Sequence, residues 1–464
     1  MVNMRQSVML LCSAAVASAA GNQVTFNKDV LPILQAHCQE CHRPNQTAPM
    51  AFLTYQDTRP WAKAIKTAVL TKRMPPWFAD PNYGHFSEES ARKLSQAEIE
   101  TIKTWADNGA PEGDPNDKAA PRQFSAAGWS IKPDIVFAMP KAYPIPAKGT
   151  IEYTEIVIPT GFKKDTWVSA AEILPGNRGY VHHMQAYIRP PGSTWLKEAK
   201  PGEFYVPTVY KRDANGFATG VLNSGQQNEG SEEDPTSRYW QLAVYVPGIE
   251  PQNFALSDSA LLIPAGSDLV LEVHYTTNGK AGSDVTKVGM VLAKHPTKYR
   301  YLTMSDFNGK FTIPAGDPNY EIAALGTFAV DTQLVWLQPH MHLRGKDMEL
   351  RLIYPDGRSE TILKVPHYSF LWQLGYDEEK PLPIPKGTKM LVIAHMDNSP
   401  NNPYNPNPNI AVPHGDQSWE EMMEGWFAVI VDKDIDTRKV LIDRHGAAGP
   451  QSEALSSTLA RASR

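Results

Sequence analysis

The sequence predicts a multidomain chain: one small all-α domain followed by two all-β, jelly-roll-like sandwiches. Three observations carry that expectation. Apolar residues recur at helical spacing only in three short stretches before Gly113. From Pro133 to about Val440 the pattern changes to short alternating strands broken by Pro and Gly, as in a sandwich, and the region is too long for one. Proline, at 39 of 464 residues, favours strands, turns and loops over long helices, while the length supplies several independent cores.

Met1 to Ala20 carries a lone Arg5, an apolar run from Val8 to Ala17 and a small-residue end, Ala17-Ser18-Ala19-Ala20, the pattern of a secretory signal. That run is shorter than the roughly 20 apolar residues of a membrane span, and no later stretch reaches that length. The expectation is an exported protein, periplasmic or extracellular, with no membrane span. Cys12 would leave with the signal, so only Cys38 and Cys41 remain and no disulfide is expected if both bind a cofactor.

A first helix is expected from Asn27 to His37, through Val30, Leu31, Ile33 and Leu34. The second runs from about Pro60 to Lys72, with Trp61, Ile65, Ala68 and Val69 on one face. Ser95 caps the third through Gln96-Ala97-Glu98, and Ile99, Ile102 and Trp105 continue it to Gly109. Among the strands, Ile151 to Ile158, Leu269 to Tyr275 and Met348 to Tyr354 alternate, and the seam between sandwiches is expected at Lys294 to Arg300. The expected boundaries are 1–20 for the signal peptide, 21–114 for the helical domain, 115–132 for a linker, 133–298 and 299–445 for the sandwiches, and 446–464 for a disordered tail.

Two motifs carry chemistry. After the first helix stands Cys38-Gln39-Glu40-Cys41-His42, two thiols three apart followed by an imidazole, the spacing for covalent attachment of haem c with His42 as an axial ligand. A zinc site would need a second ligand pair nearby and a redox dithiol a strand feeding it, and neither is present. The helical domain therefore reads as a small cytochrome c domain. Its sixth iron ligand is expected to be Met74, on the loop between the second and third helices, with Met50 as the rival.

The second motif is a series of histidines on strands. His182 and His183 are adjacent, so they face opposite ways on a regular strand and can share a metal only if a bulge or twist reorients one, a third imidazole then coming from a neighbouring strand. His340 and His342 are two apart and share a face without distortion. Zinc is the ordinary metal for such pairs, and the residues alone do not exclude it.

The order His182-His183, Val273-His274-Tyr275, His340-Met341-His342-Leu343-Arg344-Gly345-Lys346 and Ser418-Trp419-Glu420-Glu421-Met422 resembles the copper type II, ascorbate-dependent monooxygenases, which include the peptidylglycine α-hydroxylating and dopamine β-monooxygenases. The resemblance covers roughly residues 130 to 435, and Phe26 to Gly113 is similar to cytochrome modules fused to such domains in bacterial proteins. It implies two copper ions, one held by His182, His183 and His274 and the other by His340, His342 and Met422. Dioxygen and a small organic substrate would meet at the second, where His340, His342 and Met422 are the implied catalytic ligands. Chemistry agrees with that division: three imidazoles suit a copper that passes electrons, whereas two imidazoles and a thioether favour Cu(I) with an open position. The haem would replace a diffusing reductant and be recharged by an external electron donor.

Relatives that process peptides carry an Arg two residues before the His-x-His pair and an Asn two after the late Met. Here Gln338 and Glu424 occupy those places, which argues against a peptide-carboxylate clamp. A formal charge of -5 with no basic block argues against nucleic acid. Two other readings remain open: a haem and copper electron-transfer or copper-binding protein without hydroxylase activity, and a cytochrome fused to a binding sandwich.

Overall fold

The computed structural model describes residues 23–44, 46–88, 93–125, 127–214, 218–224, 241–452 and 454–455, so the signal-like start lies outside the described residues. Strands dominate and helices are few. Each expected helix has its counterpart: a π-helical turn at Phe26–Val30 runs into Leu31–His37, a 3-10 turn at Arg59–Trp61 into Ala62–Leu70, and Gln96–Asp107 follows Ser95. Ser95 and Glu98 form the reciprocal capping box. Tyr55–Thr58 is a further helical turn that the periodicity did not reveal. These elements share one small core around Phe26, Leu34, Ile65, Ile102 and Trp105.

Two sandwiches follow, joined more tightly than a seam at 294–300 implies. In the first, a sheet ordered Ile135–Ala138, Lys287–Leu292, Thr166–Leu174, Ser259–Ile263 faces a five-stranded sheet ordered Phe204–Tyr205, Thr154–Pro159, Asp268–Tyr275, Val181–Arg189, Gln241–Tyr245. The former does not end at Ser259–Ile263. Parallel pairs Ser259 with Tyr299 and Ala260 with Arg300 continue it through Tyr299–Phe307, Met423–Asp432, Thr332–Met341 and Tyr376–Ile384. Those four strands face the second five-stranded sheet, from Ser359–Val365 through Gly345–Ile353, Lys389–Met396 and Tyr320–Phe328 to Leu441–Ala448.

Along Met423–Asp432 the period-2 pleat divides the side chains between two cores. Trp426, Ala428 and Ile430 pack into the first sandwich, and Phe427, Val429 and Val431 into the second. A strand buried on both faces reads as an unbroken apolar run, which Trp426 to Val431 is. This shared strand system fixes one sandwich against the other without a disulfide.

The helical unit is docked on the same body. Phe86 bridges Glu378, and Trp77 and Phe86 pack around Tyr376 at ring distances of 5.0 and 5.4 Å. The expected linker is tied down as well, since Ser130 and Ile131 donate backbone N–H groups to the Glu172 carboxylate. One boundary is corrected: Gly446 to Ala448, read as the start of a disordered tail, belong to Leu441–Ala448, paired with Tyr320–Phe328. Beyond them, buried Ser452 donates to Glu321, which is why the order extends further than composition suggests. Residues 453 and 456–464 lie outside the described residues. No helix among the described residues is long and apolar enough to cross a membrane.

Candidate metal centre

His274 sits directly opposite His183 in the ladder between Asp268–Tyr275 and Val181–Arg189. The next pair is Tyr275 with Val181, so His182 is an extra residue on its strand, a β-bulge that turns its ring toward its neighbour. The result is three imidazoles whose ligand nitrogens all lie within 4.8 Å of one another. Nδ1 of His182 and Nδ1 of His183 are 2.9 Å apart, and Nδ1 of His274 is buried without a hydrogen bond. On the outer side, Nε2 of His183 meets the Tyr153 hydroxyl at 3.1 Å and Nε2 of His274 meets Ser418 Oγ at 3.4 Å. Two of the three rings, His183 and His274, are thus steadied through Nε2, the way metal-ligating histidines are oriented by the nitrogen that faces away from the ion.

Burial keeps these rings neutral. Removal from water lowers His182 to about 4 and pulls His183 and His274 well below the usual histidine range, with neighbouring imidazoles adding to the effect at His183. A neutral ring keeps the lone pair that a metal requires. The set therefore fits a soft or borderline divalent ion.

His340 is the last residue but one of the strand Thr332–Met341 and His342 follows the strand, with ring centroids 5.3 Å apart and both rings buried. The antiparallel ladder pairs His340 with Glu424 and Met341 with Met423, and one further step would set His342 opposite Met422. Residues opposite one another share a face, so register brings Met422, itself buried, to the side of the sheet that carries both histidines. Nδ1 of His340 donates to Gln373 Oε1 at 2.9 Å, which orients the ring. Nδ1 of His342 is buried without a hydrogen bond, and burial followed by its neighbour His340 holds that ring well below the usual histidine range.

Behind this pair lies a buried polar arm that sequence reasoning did not isolate, although its residues stand inside the quoted motifs. The Glu421 carboxylate accepts the backbone N–H groups of His342 at 3.0 Å and Arg344 at 2.6 Å. The guanidinium of Arg344 is 3.8 Å from the same carboxylate and donates to Asn398 Oδ1 and Trp419 O. Burial raises the Glu421 carboxyl to about 7 against the lowering effect of Arg344 and the backbone donors. Asn398 donates onward to Pro314 O and Ile410 O, so the start of the Asn- and Pro-rich run from Asn398 to Asn409 braces this arm.

The two histidine sets meet. His183 and His340 have ring centroids 6.4 Å apart, Tyr153 stacks on His274 at 4.5 Å and lies 6.4 Å from His342, and Phe370 stands 4.7 Å from His182 and 5.9 Å from His342. Five imidazoles from both sandwiches thus form one cluster, with an aromatic ring on either side. Tyr153 and Phe370 carried no sequence signal, because isolated aromatics are expected in any core. Burial holds the Tyr153 phenol well above its usual range, so it remains protonated.

The Cys38 to His42 segment lines a cavity of about 490 Å³ between the helical unit and both sandwiches. Met50 and Met74 line it too, with Ile65 and Val69 from the second helix and Ile249, Tyr301, Trp336 and Trp372 from the strand region. His42 Nδ1 faces Met50 O at 3.3 Å and its ring stacks on Phe52 at 4.3 Å, which orients the imidazole. Burial pushes the Cys38 thiol up to about 12, the opposite of what a reactive dithiol needs. A large, mainly apolar cavity bearing two thiols, an oriented imidazole and a thioether fits a covalently held haem.

Two further histidines take other roles. His395 lies between Asp347 and Glu321, at 2.7 and 3.4 Å, and its hydrogen bond to Asp347 raises it. His414 bridges to Glu421 and packs on Phe311.

No protein-family model matches the chain, and no curated protein matches it. Among solved structures, that of infectious bursal disease virus Gt strain is similar at 11% identity over 69% of this chain and 76% of that one, with a TM-score of 0.18. The VP2 subviral particle of the same virus is 10% identical over 70% and 79%, with a TM-score of 0.19. Overlap that slight carries no argument about fold or function.

Proposed function

We propose that this chain is an exported dicopper monooxygenase that hydroxylates a C–H bond of a small organic substrate with dioxygen, its electrons supplied through a covalently bound haem c. One observation carries the reading: His182, His183 and His274 from one sandwich and His340 and His342 from the other converge in a single buried cluster. On this reading the helical unit is a cytochrome c domain and the two sandwiches are jelly-roll-like. Cys38 and Cys41 would hold the porphyrin, and His42 and Met74 would bind its iron. Met50 is the weaker choice, since its carbonyl already steadies His42 and its side chain packs on the helical core.

When bound, the coppers supply dioxygen activation and the haem supplies single electrons. The protein's own residues do the rest. Neutral His182, His183 and His274 would hold the first copper, with Tyr153 and Ser418 steadying the rings of His183 and His274. His340, its ring oriented by donating from Nδ1 to Gln373, and His342, its backbone N–H held by Glu421, would hold the second. Tyr153 and Phe370 pack their rings against both sets.

The geometry also narrows the substrate. Gln338 Nε2 donates to Gln373 O at 2.7 Å and Glu424 accepts from Trp426 Nε1 at 2.7 Å, so both positions that would clamp a peptide carboxylate serve the protein interior. A substrate without a carboxylate anchor is expected.

Turnover of the copper-loaded holoprotein under isotopically labelled dioxygen tests the proposal, with candidate amines, aromatics and glycine-extended peptides compared. One labelled oxygen atom should appear in the product. Met422→Ile should abolish oxygen uptake and leave the three-imidazole copper signal in paramagnetic resonance. Product oxygen drawn from water, or turnover that survives Met422→Ile, would contradict it.

A further inference from the structure

The segment Phe370-Leu371-Trp372-Gln373 touches both the cavity beside Cys38 to His42 and the histidine cluster. Trp372, Leu374 and Gly375 line the cavity. Between them, buried Gln373 has a φ of 35°, in the left-handed region that side chains rarely adopt, so its conformation must be imposed by its surroundings. The constraints are visible. Its Nε2 donates to Phe370 O at 3.1 Å, its carbonyl accepts from Gln338 Nε2 at 2.7 Å, and its Oε1 accepts from His340 Nδ1 at 2.9 Å.

Gln338 and His340 alternate with Trp336 on one face of Thr332–Met341, and Trp336 lines the same cavity. At about 3.3 Å per residue, Trp336 and His340 are roughly 13 Å apart along the strand. Gly375 lets the wall close on that indole, since a Cβ there would lie 2.5 Å from Trp336 Nε1. The cavity and His340 are thus joined by one residue of chain and one hydrogen bond.

The other histidine set has no such link. Among the described residues no hydrogen bond runs from the cavity wall to it: His182 Nε2 has no partner, His183 is bonded to Tyr153 and His182, and His274 to Ser418. Phe370 reaches His182 only by ring contact at 4.7 Å. Electronic coupling falls off faster across a van der Waals gap than along bonds and hydrogen bonds.

We propose that Gln373 is the bridge by which electrons leave the haem, and that they arrive at the copper held by His340, His342 and Met422 before the three-imidazole copper. This inference rests on the haem and copper reading above. In the step, ferrous iron gives up one electron to become ferric and cupric copper takes it to become cuprous; no bond is made or broken and no proton moves.

The test uses full-length holoprotein, copper-loaded in the cupric form and free of dioxygen. A flash-generated viologen radical reduces the haem, haem absorbance reports its reoxidation, and freeze-quenched paramagnetic resonance reports which copper signal disappears. Wild type should lose the two-imidazole signal first. Gln373→Leu should slow haem reoxidation at least about tenfold at unchanged iron and copper content, whereas Gln373→Glu, which keeps an acceptor for His340, should restore most of the rate. Trp372→Leu should slow it too, and covers the case in which Gln373→Leu loses copper. An unchanged rate in both Gln373→Leu and Trp372→Leu, or a wild type in which the three-imidazole signal disappears first, overturns the bridge while leaving the monooxygenase reading intact. A wild-type haem that never passes electrons to copper removes that reading, and the bridge with it.

Discussion

Replacing Glu421 by Gln isolates the buried arm behind His342 and Met422. The carboxylate and the Arg344 guanidinium are both fully buried, and the carboxylate receives the backbone N–H groups of His342 and Arg344. Gln preserves one acceptor and the volume but leaves Arg344 without its counter-charge, a loss worth about 3–5 kcal/mol for a buried pair broken on one side. Because the freed backbone belongs to His342, much of that cost should appear as poorer metal geometry. Copper affinity at the His340, His342 and Met422 site should fall about 10–100-fold, the usual effect of removing a group that orients a ligand. Affinity at His182, His183 and His274, whose supports are Tyr153 and Ser418, should not change. Anaerobic Cu(I) titration against a competing chelator, read site by site, measures both. The double variant Glu421→Gln with Arg344→Met removes the stranded charge and should recover most of the loss, since replacing both halves of a buried pair is often nearly neutral. Equal weakening of both sites, or no weakening at either, would refute the reasoning.

Other consequences follow from single positions. Asp306 is fully buried with Arg444 Nε 3.5 Å away, and burial raises its carboxyl to about 7 despite that cation. A folded-state value above the unfolded one means stability present below about pH 4 and lost as pH rises through 7, so Asp306→Asn should gain on wild type by up to about 1.4 kcal/mol per unit across that window in denaturant titrations. Tyr153→Phe removes the hydroxyl behind His183 but keeps the ring stacked on His274, so copper binding at that set should weaken while the fold holds; unchanged affinity would show the hydroxyl irrelevant. At Gly425 an added Cβ would meet Val392 Cγ2 at 2.6 Å and Cγ1 at 2.9 Å, inside the second core. Gly425→Ala should therefore destabilise by about 1–3 kcal/mol in chemical denaturation, and a neutral result would mean that the Met423–Asp432 strand shifts freely.

The candidate site was legible wherever its cysteines and histidines are close in sequence. Cys38, Cys41 and His42, the His182-His183 pair and the His340-x-His342 pair each declare themselves by spacing, and the need for a bulge at His182 follows from strand geometry alone. His274, Met422 and the grouping of the ligands came from family resemblance, since no local pattern links residues on distant strands. Gln373, Phe370, Tyr153 and the Arg344–Glu421 pair were not legible as supports. Their roles depend on which loop closes over which strand, and neither composition nor period encodes that. Likewise the unbroken apolar run Trp426 to Val431 announces a doubly buried strand but not that its two faces serve different sandwiches.

Anomalous diffraction from crystals of the mature holoprotein, recorded on both sides of the copper and iron absorption edges, tests the central claim most directly. Two copper peaks are expected, one among the Nδ1 atoms of His182, His183 and His274 and one beside His340, His342 and Met422, with a single iron peak in the cavity next to His42. Zinc in place of copper, a lone metal peak among the five histidines, or a cavity without iron would contradict the account.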